Sequence, residues 1–251
     1  MPGKIVFITG ATSGFGAACA RLYAQDGASL VLLGRRRERL AALQEELGVP
    51  VHTIAVDIRD RDALLAEIDA LPAPFDQVDI LINNAGLALG LDKVYEANLD
   101  DWDVMVDTNI KGVLYTTRAV LPGMVERGRG HIVNLGSVAG SYAYPGGNVY
   151  GGSKAFVNHF SLELRADLLG KGIRVTSIEP GLCETDFSVV RFGGDRERAA
   201  SVYKGLKSLS AEDIAESIYW ATSLPHHYNI NRIEMMPVNQ SFSALSIQRD
   251  E

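Results

Sequence analysis

Short apolar runs that alternate with longer amphipathic stretches constrain this chain more than any other feature. Ile5-Val6-Phe7-Ile8, after Lys4, and Leu30-Val31-Leu32-Leu33 are continuous apolar runs, so strands built from them need cover on both faces. The amphipathic stretches between such runs supply that cover as helices, which makes a series of β-α-β units around a parallel sheet. Strands are expected near residues 4–9, 28–33, 51–56, 79–82, 131–136, 173–179 and 232–237. Helices are expected at about 14–26, 36–47, 60–71, 94–126 with a break, 150–170 and 211–223. The fold class is therefore α/β and doubly wound, with a parallel sheet of about seven strands and helices on both faces.

At 251 residues the chain fits one such unit, and it carries no Pro, Gly or Ser-rich linker, no internal repeat and no low-complexity tract. A single domain over 1–251 is the expectation. Residues 183–209 stand apart. They hold Gly193-Gly194, many charges and little apolar periodicity, which suits a mobile lid over a site. Residues 238–251 form a C-terminal tail. The formal charge of −7 argues against nucleic acid and anionic membrane as partners, since both favour a basic surface. Cys19 and Cys183 are too few and too far apart for a disulfide framework or a metal site. No apolar run approaches about eighteen residues and no signal-peptide cleavage pattern follows the N-terminus. A cytoplasmic protein without metal is expected.

Thr9-Gly10-Ala11-Thr12-Ser13-Gly14-Phe15-Gly16 joins the first strand to the first helix, where a dinucleotide's pyrophosphate would rest on the helix N-terminus. Its Gly-x-x-x-Gly-x-Gly spacing departs from the commoner Gly-x-Gly-x-x-Gly, and a tight structural turn is the other reading. The second strand ends in Gly34-Arg35-Arg36-Arg37, where a site for NAD would place an acid. Arg35 and Arg36 instead suit a 2′-phosphate, which planar guanidinium forks bind well; decoration of an exposed helix start is the alternative. Asp57, after the third strand, suits either a hydrogen bond from an adenine amine or a helix N-cap.

Tyr150-Gly151-Gly152-Ser153-Lys154 places a phenol and an ammonium one helical turn apart. Unit charges about 5 Å apart at an effective dielectric of about 20 attract by about 3 kcal/mol. That is enough to lower a phenol's pKa of about 10 by about two units, toward the range of a usable base.

With Asn83-Asn84-Ala85-Gly86 after the fourth strand, Asn109 in the following helix, Ser137 after the fifth strand and then Tyr150 and Lys154, the chain resembles the short-chain dehydrogenase/reductase family from Thr9 through Pro180-Gly181. The resemblance implies a Rossmann-like domain. The segments Asn84–Gly90, Arg118–Arg127 and Glu234–Val238 look like the NADP-dependent serine and 3-hydroxy acid dehydrogenases. The ending Glu234-Met235-Met236-Pro237 departs from the family's common Asp-Gly-Gly and leaves the C-terminal contacts open.

The resemblance implies an NADP cofactor and a catalytic set of Ser137, Tyr150, Lys154 and Asn109. Tyr150 would act as acid and base, Lys154 would hold the phenolate and the nicotinamide ribose, and Ser137 would donate to the oxygen that gains negative charge. An Asn109 backbone carbonyl would bind a water leading to Lys154; the other reading of Asn109 is a buried polar splice. Cofactor contacts are implied at Gly10, Thr12, Ser13, Gly14, Phe15 and Gly16, and again at Arg35, Arg36, Asp57 and Ile58. Asn84, Ala85 and Gly86 would line the adenosine ribose side, and Pro180, Gly181 and Leu182 the nicotinamide side, with Thr185 near the nicotinamide carboxamide or the pyrophosphate.

Tyr142, Tyr144, Gly146 and Gly147, between Ser137 and Tyr150, are expected to wall a small substrate pocket. Arg191 in the lid is the candidate for a substrate carboxylate, with a solvated lid arginine as the other reading. Phe156, Phe160 and Leu164 form a stripe turned away from the catalytic groove, to be covered by a neighbouring helix or a second subunit; the resemblance implies a homotetramer. The implied activity is hydride transfer between NADP(H) and the 3-hydroxyl or 3-oxo group of short hydroxy acids. Reduction of another carbonyl class and a nonenzymatic NADP sensor are the alternatives.

Overall fold

The computed structural model describes residues 1–242 and 246–249. Its strands are β1 Ile5–Thr9, β2 Ser29–Leu33, β3 Val51–Ile54, β4 Ile80–Asn83, β5 Gly130–Leu135, β6 Ile173–Pro180 and β7 Arg232–Met235. Each pairs in parallel with its neighbours in one sheet, in the order β3-β2-β1-β4-β5-β6-β7. The helices are α1 Gly14–Gln25, α2 Arg37–Leu47, α3 Arg61–Asp69, α4 Leu99–Val106, α5 Gly112–Arg127, α6 Asn148–Asp167, α7 Asp186–Arg191, α8 Arg196–Tyr203 and α9 Ala211–Ser223.

The two-residue period of the strands sorts the apolar runs onto two faces. Val6, Ile8, Leu30, Leu32, Ile80 and Ile82 meet α1, α2 and α9 through Ala18, Tyr23, Leu40, Ile214 and Ile218. Ile5, Phe7, Val31, Leu33, Leu81 and Ile132 face the other way, onto Leu64 of α3, Val120 and Met124 of α5 and Leu164 of α6. Both cores are filled by residues that are almost wholly buried. The continuous apolar runs are thus accounted for by helices on both sides of the sheet.

Local signals set the helix ends. Asp60 caps α3 by accepting from Ala63 N at 3.1 Å, Asn98 caps α4 through Asp100 N at 2.9 Å, and Ser210 with Asp213 makes a reciprocal capping box at α9. The break expected within 94–126 is a π-helical turn, Asp107–Lys111, between α4 and α5. Residues 183–209 carry two short helices, α7 and α8, that weak periodicity did not reveal. Their caps, Thr185 and Asp195, are the legible signals. Of the expected tail, residues 243–245 and 250–251 lie outside the described residues. No helix among the described residues is long and apolar enough to cross a membrane.

Candidate active site

The strand order reverses between β1 and β4, and in a doubly wound sheet that reversal opens a crevice beyond the strands' C-terminal ends. A cavity of about 650 Å³ lies there, within the range of a cofactor or substrate pocket. Its floor is the turn after β1. Thr9 Oγ1 accepts from the Asn84 and Ala85 amides at 3.0 Å each, while Asn84 Nδ2 donates to Thr9 O at 2.9 Å and Gly10 O at 3.2 Å. Gly10 has φ +67°, and a Cβ there would stand 2.9 Å from Ala85 Cα; the chain needs glycine for conformation and for space. Ser13 caps α1 without a side-chain bond, and no acid occupies the first turn. The positive end of that helix is therefore presented to an anion in the cavity.

Gly10, Thr12, Ser13, Gly14, Phe15, Asn84, Ala85 and Gly86 line the cavity, but Gly16 does not. A Cβ on Gly16 would stand 2.4 Å from Gly10 O and 2.6 Å from Asn84 Nδ2. Gly16 lets α1 press against the turn from behind, so its part in the expected cofactor site is to seat the helix against that turn. A Cβ on Gly86 would first meet Asn109 Oδ1 at 3.3 Å and Lys154 Nζ at 3.4 Å, so this glycine also makes room for the lysine.

Arg35, Arg36, Asp57 and Ile58 line the end of the cavity beside β2. Arg36 reaches across the turn, with Nε 3.1 Å and Nη2 2.6 Å from Thr12 Oγ1 and Nη2 2.9 Å from Ser13 Oγ. Arg35 is exposed, with Nη1 3.8 Å from the Asp57 carboxylate. Asp57 is not a helix N-cap, because Asp60 fills that position. Its carboxylate is clasped by Arg59, at 2.7 Å to Nη2 and 3.0 Å to Nε, which holds its pKa below the ordinary value. Arg39 also lines this end. It was missed in sequence, although it stands one turn after Arg35 and Arg36 on the helix they open.

Ser137, Tyr150 and Lys154 meet on the opposite wall. Ser137 ends the loop after β5 and caps a 3₁₀ turn, Val138–Gly140, by accepting from Ala139 N at 3.1 Å. It is both a turn cap and a cavity residue. Tyr150 lies in the first turn of α6 with its ring 5.5 Å from that of Phe187. Burial pushes its phenol up to about 12, against the downward pull of a hydrogen bond with Ser137 and of the Arg191 charge. Lys154 Nζ donates to Leu135 O at 2.6 Å and lies 6.0 Å from the Tyr150 ring centroid; burial lowers its pKa to about 8. Burial thus opposes the lowering of the phenol that the ammonium was expected to bring. Both groups are desolvated, and desolvation penalises both charged forms.

Asn109 sits in the π-helical turn, buried behind this wall and outside the cavity lining. Its side chain accepts from Leu87 N at 2.8 Å and donates to Leu87 O at 2.8 Å and Ser153 Oγ at 3.0 Å. Ser153 in turn donates to Tyr150 O at 2.8 Å. The side chain is thus a splice between the loop after β4 and the helix that carries Tyr150, while the expected role of Asn109 belongs to its backbone carbonyl, which these side-chain bonds leave untouched.

The pocket wall also differs in part from expectation. Tyr144 lines the cavity, whereas Tyr142, Gly146 and Gly147 do not. Tyr142 donates to Glu234 Oε1 at 3.0 Å and packs at a tilt against Phe242, so the unusual strand ending fastens this loop from outside. Arg191, at the end of α7, comes to the site: Nη2 donates to Tyr144 Oη at 2.6 Å, and Cζ lies 5.0 Å from the Tyr150 ring centroid. Its Nε is buried with no hydrogen-bond partner among the described residues. Pro180, Gly181, Leu182 and Thr185 continue the lining. Thr185 caps α7 through Phe187 N at 3.2 Å and faces Gly14, while Leu182 N donates to Gln240 Oε1 at 2.8 Å.

A doubly wound sheet with a glycine turn at its switch point and a serine, tyrosine and lysine on the facing wall defines a dinucleotide-dependent oxidoreductase site. The chain belongs to the short-chain dehydrogenase family, whose profile matches residues 4–193. It is 55% identical over 246 residues, covering 98% of this chain and 99% of the relative, to the NADP-dependent 3-hydroxy acid dehydrogenase of Salmonella typhi. It is 54% identical over 245 residues to the serine 3-dehydrogenase of Agrobacterium fabrum, covering 98% of each chain. Among solved structures, the closed form of a serine dehydrogenase complexed with NADP⁺ superposes with a TM-score of 0.94 at 51% identity, covering 98% of this chain and all of that one. The serine dehydrogenase of Escherichia coli superposes at 0.83 with 49% identity, over 94% of this chain and 99% of that one.

Proposed function

We propose that this chain is a cytoplasmic NADP-dependent dehydrogenase acting on the 3-hydroxyl of short 3-hydroxy acids, of the serine, allo-threonine and 3-hydroxypropionate kind. The observation that carries the substrate class is the meeting of Arg191, with a buried unpartnered Nε, and the Tyr150 phenol at one end of the cavity. A buried guanidinium atom without a partner is costly, and a carboxylate would satisfy it with a charge-assisted bond. The relatives point the same way, and two buried unbridged cysteines suit a reducing compartment.

The residues present fit the cofactor. The turn at Gly10 to Phe15 would take the pyrophosphate, Arg35 with Arg36 beside it the 2′-phosphate, Asn84 to Gly86 the adenosine ribose, and Lys154 the nicotinamide ribose. NADP supplies the hydride acceptor when bound, and NADPH the donor in reverse. The chain's own part is proton transfer and charge placement. In oxidation Tyr150 takes the proton of the substrate hydroxyl, and in reduction it returns one. Ser137 donates to the same oxygen, and removing one such preorganised donor costs about a hundredfold in rate. Lys154 holds the phenolate, and Asn109 positions the helix that carries both. Thr185 would sit where the lid meets the pyrophosphate turn, with residues 183–209 closing over the substrate.

The test is initial-rate kinetics with L-serine, L-allo-threonine, 3-hydroxypropionate, carboxylate-free alcohols and bulky ketones, in wild type and Arg191→Ala. Wild type should prefer the acids, and Arg191→Ala should raise their KM about a hundredfold while leaving the alcohols unchanged. An unchanged KM for the acids rejects the assignment of Arg191. A wild-type preference for bulky ketones favours the alternative substrate class.

A further inference from the structure

The guanidiniums around the β2 end of the cavity are not equally engaged. Arg59 closes on Asp57 with two nitrogens, and Arg36 spends Nε and Nη2 on the hydroxyls of Thr12 and Ser13. Arg35 and Arg39 are the loose pair. Arg35 Nη1 is 3.8 Å from Asp57, and Arg39 Nη1 is 4.0 Å from Asp186, with both arginines more than half exposed. These separations are too long for direct hydrogen bonds, so both forks keep N–H groups for another acceptor. The three arginines feel one another: burial, then Arg39, then Arg35 lower the pKa of Arg36, while Asp186 opposes them. Such a cluster of like charges calls for an anion stronger than a half-exposed carboxylate.

Asp186 belongs to a different part of the molecule. It opens α7, one residue after Thr185 and five before Arg191, in the segment that roofs the cavity. Arg39 lies in the first turn of α2 on the cofactor side. The ion pair Arg39–Asp186 therefore bridges the expected 2′-phosphate end and the roof.

We infer that Arg39 is a further reader of the 2′-phosphate and that Asp186, its partner in the roof, competes with that phosphate for it, so that the lid carboxylate sets how strongly the site prefers NADP over NAD. A 2′-phosphate carries nearly two negative charges at neutral pH. Placed between Arg35 and Arg39 it gains two forks, and it meets the Asp186 carboxylate as a like charge. NAD has no such group, so Asp186 is neutral toward it. The same contest loosens the first turn of α7 from α2 when phosphate arrives, and tightens it when phosphate leaves. The inference rests on the reading of this end of the cavity as the 2′-phosphate site.

The test is fluorescence titration of NADPH and NADH into the full chain at low ionic strength, where such charges act most strongly. Arg39→Gln should weaken NADPH about tenfold and change NADH by less than about twofold. Asp186→Asn should tighten NADPH about threefold to fivefold, with NADH unchanged. Asp186→Ser, which keeps a short polar side chain at the start of α7, should do the same. Arg35→Gln is the control for the underlying reading. Loss of both cofactors equally in Arg35→Gln overturns the phosphate site itself. Discrimination in Arg35→Gln without discrimination in Arg39→Gln overturns the role of Arg39 alone. Unchanged or weaker NADPH binding in both Asp186 variants overturns the competition.

Discussion

Tyr150 and Lys154 share one face of α6, and burial acts on them in opposite directions: the phenol rises to about 12 and the amine falls to about 8. A charged lysine is thus held where folding disfavours its charge. A pKa unit is worth about 1.4 kcal/mol, so the fall from 10.5 to about 8 costs the fold about 3 kcal/mol while the lysine is protonated. Because the folded value is the lower one, the penalty is full below about pH 8, fades between the two values and is gone above pH 10.5. Lys154→Met should therefore raise the unfolding free energy at pH 7 by about 1–3 kcal/mol, and lose that advantage by pH 10.5. Denaturant unfolding at the two pH values measures it, and a variant less stable than wild type at pH 7 contradicts the account. The site keeps the lysine at the expense of stability, as functional residues often do.

At the scale of elements, the close seat of α1 on the glycine turn is the feature that most directly shapes the cofactor floor. Gly16→Ala should push α1 off Gly10 O, costing about 1–3 kcal/mol and weakening NADPH binding about tenfold. Equal affinity by titration would mean that the turn adapts freely. The strands and the longer helices were legible because each apolar run met a two-residue or a 3.6-residue period. Residues 183–209 were not, since α7 and α8 are six and eight residues long and are set by their caps more than by a buried stripe. The arrival of Arg191 at Tyr150 follows from that roof folding back over the sheet, and Arg191 was legible only as a cation in need of an anion. Asn109 and Gly16 stand on the right elements, yet their roles depended on side-chain aim and on a 2.4 Å clearance, neither of which a sequence records.

For the whole molecule, the stripe on α6 is partly closed within the chain. Leu164 is buried in the core, while Phe156 and Phe160 stack at 5.7 Å on its edge. Leu162 and Leu169 remain exposed, as do Leu99 at the start of α4 and Val94 and Tyr95 in the segment before it. We propose that these faces are covered by copies of the chain in a homotetramer; light scattering at micromolar concentration should give four times the chain mass, and a monomer contradicts it. The account as a whole stands on Tyr150 as the group that moves the proton in an NADP-dependent oxidation. The most direct test compares wild type and Tyr150→Phe by following NADPH formation from L-serine and 3-hydroxypropionate, with NADPH affinity titrated in parallel. Turnover should fall at least about a thousandfold while NADPH affinity changes by less than about threefold. Turnover kept within about tenfold of wild type would contradict the assignment.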